Sequence, residues 1–207
     1  MSDPYENERE HMVKYQIQSR GIHNPNILNA MRKVPRHEFV SHAQLGSAYN
    51  DGPLPIGKGQ TISQPYIVAY MTDLLELEGH ETVLELGTGC GYQTAVLAEV
   101  AAHVYTVEVI ASLAREAEER LKQMNFTNIS FKIGNGREGW EKHAPFDRIM
   151  LTAAPVNFPE DLFGQLAEGG IAVAPVGDYF QRMIRYRKKD NKIKEEGLIG
   201  VSFVPFV

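Results

Sequence analysis

The run Thr82-Val83-Leu84-Glu85-Leu86-Gly87-Thr88-Gly89-Cys90-Gly91-Tyr92 constrains this chain more than any other stretch of it. An apolar segment broken by a single acid leads into three glycines at alternate positions, and helical patterning resumes immediately after them. That order specifies a buried strand, a turn tight enough to need positive φ, and a helix that begins at the turn. Such a strand–turn–helix unit cradles an adenosine-containing ligand at the start of its helix. After a gap of 21 positions from Gly87, a second apolar run, Val104-Tyr105-Thr106-Val107, ends in Glu108, an acid placed to accept hydrogen bonds from a ribose diol.

The spacing of the glycines narrows the ligand. A dinucleotide fingerprint, GxGxxG, needs its third glycine where this chain has Tyr92, because helix and strand must pack closely beside a pyrophosphate. Here the glycines fall at 87, 89 and 91. This GxGxG, preceded by Glu85, resembles the first motif of class I S-adenosylmethionine methyltransferases. The resemblance implies a cofactor without pyrophosphate, whose methionine tail carries an ammonium group and whose sulfur is cationic. An acid beside the turn suits that charge.

At 207 residues the chain is long enough for one sizeable domain, expected to run from 1 to 207. Within it, 1–80 reads as N-terminal helices and an active-site loop, and 81–207 as a β/α cofactor-binding core. No apolar run approaches the roughly 20 residues of a membrane span. The first ten residues are acidic and polar, the reverse of a signal peptide's order, so a cytoplasmic location without membrane attachment is expected. One cysteine, Cys90, excludes an intramolecular disulfide and any multi-cysteine metal site, and no metal is expected. A net charge of −5 argues against nucleic acid as a partner. The one basic run, Arg185-Tyr186-Arg187-Lys188-Lys189, alternates with apolar residues and reads as the solvated face of a strand. Nothing demands self-association, and a monomer is the expectation.

Residues 8–20 read as a helix, and Asn24-Pro25 caps a second that Val34-Pro35 ends. From Thr82 onward, strand runs at 82–86, 103–108, 129–133, 147–152 and 170–175 alternate with helical stretches at 91–101, 110–124 and 159–167. That alternation predicts a mostly parallel sheet flanked by helices. The segments 179–188 and 197–205 follow as consecutive strands about Asp190-Asn191, giving the sheet an antiparallel edge. The fold class is thus α/β and Rossmann-like. Ligands of such sheets lie beyond the carboxyl ends of the strands, near Gly87–Gly91, Glu108, Asn135 and Thr152–Pro155.

Between the helical start and the first of these strands lies a Pro- and Gly-rich loop, Tyr49 to Pro65, about as long as loops become without a functional reason. Ser63 is placed to cap the helix that follows, with Pro65 in its first turn. The loop PLPIGKGQTISQP, then VLELGTGCGYQT, FDRIMLTAAP, LAEGGIAVAPVG and the terminal VSFVPF together resemble the protein-L-isoaspartate O-methyltransferase family over roughly residues 10–207. The resemblance implies S-adenosylmethionine as cofactor and S-adenosylhomocysteine as product, with isoaspartyl-containing proteins and peptides as partners. It assigns Ser63 as the active-site serine and places Gln64 and Pro65 along the cofactor. It also gives Glu85 as the acid ending the first strand, Gly87, Gly89 and Gly91 as the turn around the methionine moiety, and Glu108 as the ribose acid. Asn135-Gly136 stands where the family usually has Asp-Gly beside the adenine; Asn keeps an acceptor oxygen and loses the charge.

The acceptor so implied is the α-carboxylate of an isoaspartyl residue. With a pKa near 4 it is already ionised at neutral pH, so no general base is required. Three other readings share the glycine turn: a methyltransferase for a small molecule or RNA, a non-catalytic cofactor-binding module, and a nicotinamide oxidoreductase.

Overall fold

The computed structural model describes residues 3–206. Helix α1 (Glu6–His11) runs on through a π-helical turn (Met12–Ile17) and a 3-10 turn (Gln18–Arg20), matching the helix expected over 8–20. Helix α2 (Pro25–Lys33) starts as the sequence dictates: Asn24 accepts the Asn26 N–H at 3.0 Å and Pro25 opens the first turn.

The Pro/Gly-rich loop is not structureless. It holds a small hairpin, β1 (Leu54–Gly57) and β2 (Gln60–Ile62), closed by Lys58 and Gly59, both at positive φ (54° and 72°). Two such residues form the primed turn that matches strand twist. Helix α3 (Pro65–Leu74) follows at once. Gln64, not Ser63, takes the N-cap position, and no side chain caps the helix. The expected capping role of Ser63 is therefore wrong; its hydroxyl is free for other work.

Beyond it come β3 (Thr82–Leu86), α4 (Tyr92–Val100), β4 (His103–Glu108), α5 (Ala111–Gln123), β5 (Ile129–Ile133) and β6 (Phe146–Leu151). A short α6 (Leu162–Gln165), β7 (Leu166–Val176), β8 (Gln181–Lys189) and β9 (Lys192–Val201) complete the chain. The helix expected over 159–167 shrinks to four residues because β7 begins already at Leu166. The strand expected over 197–205 starts and ends earlier, and the last residues leave the sheet to bridge Pro205 with Ala154. The β8–β9 turn does sit at Asp190-Asn191, both at positive φ.

The seven strands lie in the order β5-β4-β3-β6-β7-β8-β9, parallel up to β7 and antiparallel after it. Strand parity sorts the side chains into two cores. Val83 and Met150 face one side with α2, α3 and α4, while Leu84, Leu86, Ile149 and Leu151 face the other with Phe158 and α6. Parity also sends Glu85 to the α4 side, where Thr94 meets it. The chain leaves β3 first toward β4 and β5, then returns to its other side as β6. Strand order therefore reverses between β3 and β6, and a crevice opens past their carboxyl ends.

Candidate active site

The crevice is built on the glycine turn. Gly87 and Gly91 adopt φ of 108° and 89°, which only glycine holds without strain, and Gly89 sits in the left-handed region at 54°. The Thr152 hydroxyl donates to the Leu86 carbonyl at 3.1 Å and also meets the Gly87 carbonyl; a methyl group on Gly87 would collide with that hydroxyl. The Thr152 side chain thus occupies the space a side chain at Gly87 would take.

Glu108 ends β4 nearly buried. Its Oε2 accepts the Gly89 N–H at 2.8 Å and its Oε1 the Ile110 N–H at 2.9 Å. These bonds fix the carboxylate, and a carboxylate has lone pairs beyond them for a ligand diol. Glu108 lines the cleft.

Glu85, the acid beside the turn, sits next to last in β3. It is fully buried, and it does not line the cleft. Its Oε2 accepts from Thr94 Oγ1 at 2.5 Å and Thr106 Oγ1 at 2.7 Å, while Oε1 has no partner. Thr106 in turn shares a 2.6 Å hydrogen bond with Thr88, which does line the cleft. A file of hydroxyls therefore connects the buried acid to the cavity wall. Burial raises the Glu85 pKa to about 8 against the pull of the two threonines, with Glu108 adding repulsion. These surroundings favour the neutral carboxyl over the carboxylate. An unpartnered acid oxygen below a cavity suits a cationic ligand, whose field favours ionisation.

Tyr92 explains why a dinucleotide fits poorly here. Its ring is buried, edge-on to Phe39 at 5.3 Å and beneath the Arg36 guanidinium at 4.8 Å, so bulk fills the position where a third glycine would permit close packing. Arg36 is itself wholly buried, donating to the Ala48 carbonyl at 2.8 Å, and among the described residues no carboxylate pairs with it.

The hairpin covers this turn. Ile56 lies over Gly89, where an added methyl would stand 3.5 Å from Ile56 Cδ1, and β2 delivers Ser63 to the cleft's edge. Gln64 donates to Asp51 Oδ1 at 2.7 Å, and Arg20 pairs with the same acid, so the loop is tied back to the N-terminal helix. The cleft, about 810 Å³ with its open mouth, is bounded opposite by Val204, Pro205 and Phe206. Thr61, Ser63, Thr152 and Val204 also line a second, outer groove, so the two spaces meet at Ser63.

Of the residues singled out by sequence, Ser63, Gly87, Gly89, Glu108 and Gly136 come together around the cleft. Gln64 faces the outer groove, Pro65 is buried as the first residue of α3, and Gly91 packs behind the turn, where an added methyl would stand 3.0 Å from Leu121 Cδ1. Asn135 is exposed and uses its Oδ1 to cap the 3-10 turn Gly136–Glu138 through the Arg137 N–H at 2.9 Å; Gly136, not Asn135, faces the cavity. The C-terminal wall went unassigned. Its position comes from a long-range bridge, with Ala154 N–H on the Val204 carbonyl and Phe206 N–H on the Ala154 carbonyl, each at 2.9 Å. Gln181 adds a local pair, donating to the Phe203 carbonyl at 3.1 Å and accepting its N–H at 2.6 Å. The cluster Glu78, His80 and Glu81 lies at the far end of β3, and there the Glu81 carboxylate is taken up by the Glu78 and Gly79 N–H groups and by Arg148.

Residues 7–207 match the family model described as protein-L-isoaspartate(D-aspartate) O-methyltransferase. The chain belongs to that family. A protein-L-isoaspartate O-methyltransferase of Picosynechococcus sp. is 50% identical over 204 residues, covering 99% of this chain and 92% of the relative. One from Dictyoglomus thermophilum is 50% identical over 202 residues, covering 97% and 91%. Among solved structures, a protein-L-isoaspartate O-methyltransferase superposes with a TM-score of 0.88 at 27% identity, over 95% of this chain and 65% of that one. A putative Plasmodium falciparum enzyme, solved with S-adenosyl-L-homocysteine, superposes at 0.80 over 100% and 99% of the two chains; at 24% identity it supports the fold alone.

Proposed function

We propose that this chain transfers a methyl group from S-adenosylmethionine to the α-carboxylate of L-isoaspartyl residues in damaged proteins and peptides. The observation that carries the reading is that the cofactor cleft and the outer groove share Ser63 at their junction, so donor and acceptor can meet there. The residues present fit the cofactor. Gly87, Gly89 and Gly91 would form the turn around its methionine moiety with Glu85 beneath, Glu108 would hold the ribose, and Asn135-Gly136 would lie at the adenine end; Gln64 and Pro65, which the resemblance places along the cofactor, stand outside the cleft wall, Gln64 on the outer groove and Pro65 buried at the start of α3. When bound, S-adenosylmethionine supplies an electrophilic methyl group on a cationic sulfur.

The protein's own share is positioning. The acceptor carboxylate arrives ionised, so no side chain needs to take its proton. Ser63 donates a hydrogen bond that orients the attacking oxygen, and it forms no covalent intermediate. Its donor strength must stay modest, because negative charge on the acceptor fades as the bond forms and a strong donor would favour the ground state. The Ile56 side of the hairpin and the Phe206 side of the tail exclude water from the cleft, which strengthens the attraction between opposite charges. The chain works as a single unit over 1–207, as a monomer, in the cytoplasm, and without nucleic acid or membrane. Among the described helices none is long and apolar enough to cross a membrane. Arg185 and Arg187 of the basic run pair with Glu76 and Glu196, which offsets part of its positive charge.

Alkali tests the acceptor chemistry. Protein aged to accumulate isoaspartate, methylated from labelled cofactor, should release its label as methanol at high pH, because a carboxyl methyl ester hydrolyses there. Label that survives alkali would indicate nitrogen or ribose methylation instead.

A further inference from the structure

Where β7 turns into β8, two adjacent aromatic side chains stand almost wholly in solvent: Tyr179 is 92% exposed and Phe180 94%. No other large apolar residue described is nearly so bare. They do not stand at random, since both border the outer groove that runs from Ser63. Their turn is anchored at both ends. Gly177, at φ 132°, donates to the Pro155 carbonyl at 3.0 Å, and a side chain there would collide with the Phe180 carbonyl. Gln181, the next residue, grips Phe203 in the tail that walls the cofactor cleft. The aromatic pair is thus held in fixed relation to the reacting centre. Charge along the groove is one-sided: among the described residues that line it, Arg182 is the one cation and none is a carboxylate. Two exposed rings beside a lone guanidinium gain little in a free protein, and they offer a docking surface to a partner with a complementary side chain.

We propose that Tyr179 and Phe180 are specificity residues that receive an apolar or aromatic side chain of the peptide substrate close to its isoaspartyl residue, with Arg182 disfavouring a cation beside it. This rests on the outer groove being where the peptide lies. The pair touches substrate away from the reacting atoms, so it acts on KM and leaves the transfer step alone. An enzyme that must accept many sequences can use such a platform, because an apolar contact grades its partners without fixing one.

A peptide panel decides it. Isoaspartyl peptides carrying Phe, Leu, Ser or Lys in turn at each of the two positions on either side of the isoaspartate would be assayed with the wild type and with Tyr179→Ser/Phe180→Ser. At one position the wild type should favour Phe over Ser in kcat/KM by about tenfold, and Lys should rank last. The double variant should lose the Phe preference through KM, with kcat and the affinity for S-adenosylhomocysteine unchanged. Equal use of all peptides by the wild type, or a preference retained in the variant, overturns the assignment while leaving the methyltransferase reading intact. If the variant changes the protein's mass in solution and no peptide preference, the rings serve self-association and the proposal falls. Failure of the wild type to methylate any isoaspartyl peptide while still binding S-adenosylhomocysteine would instead sink the reading beneath it.

Discussion

Ser63 and Glu85 show how differently two side chains act on one cofactor cleft. Ser63 sits half-buried at the mouth with its hydroxyl uncommitted, so its loss removes an orienting donor and little else. Ser63→Ala should lower kcat/KM by about tenfold, the lower end of what one hydrogen bond to a charged group contributes, with an unchanged Kd for S-adenosylhomocysteine. Loss of cofactor binding together with rate would show that Ser63 holds the loop. Glu85 is buried and half satisfied, with its pKa raised from 4.5 to about 8. Between those values the native protein keeps a proton that the unfolded chain has released, so native stability falls as pH rises through that window and levels off above it. Glu85→Gln, which does not titrate, should remove that slope: denaturation midpoints of the two proteins should diverge between pH 5 and 8. Parallel midpoints would mean that Glu85 is ionised throughout.

Elements carry the site in unequal measure, and so did their sequence signals. The glycine turn, β3 and β4 were legible because their signals are local: apolar runs, positive-φ residues, and an acid at each strand's end. The hairpin Leu54–Ile62 was read as loop because its strands are only four and three residues long, too short for a period to register. Helical patterning over 159–167 misled, since β7 claims Leu166 through pairing with Phe146, a contact that periodicity does not reveal. Ser63 looked like a helix cap because residue type and position agreed; the chain starts its helix one residue later. The tail Phe203–Phe206 was invisible as a cavity wall because distant partners alone place it. Gln181→Ala should therefore weaken S-adenosylhomocysteine binding by about five- to thirtyfold, the worth of two neutral hydrogen bonds, without lowering the melting temperature by more than a few degrees. Unaltered affinity would show that the Ala154 bridge holds the tail by itself.

At the scale of the whole molecule, the sheet order places the crevice and the N-terminal segment closes it. That segment is bound to the cofactor turn through Arg36, a buried guanidinium resting on Tyr92 and donating to the Ala48 and Gly52 carbonyls. Arg36→Ala would open a cavity and leave those carbonyls unpaired, costing about 2–5 kcal/mol of stability by chemical denaturation. A loss under 1 kcal/mol would show that the segment docks by its apolar contacts alone. Sequence revealed the α/β class and the antiparallel edge, yet not this buried cation, because an arginine after Val-Pro reads as surface. The reaction itself is tested most directly with two synthetic peptides that differ only in one linkage, isoaspartyl against normal aspartyl, and labelled S-adenosylmethionine. Label should enter the isoaspartyl peptide alone. Equal labelling of both, or of neither by a protein that binds the cofactor, would contradict isoaspartyl methylation.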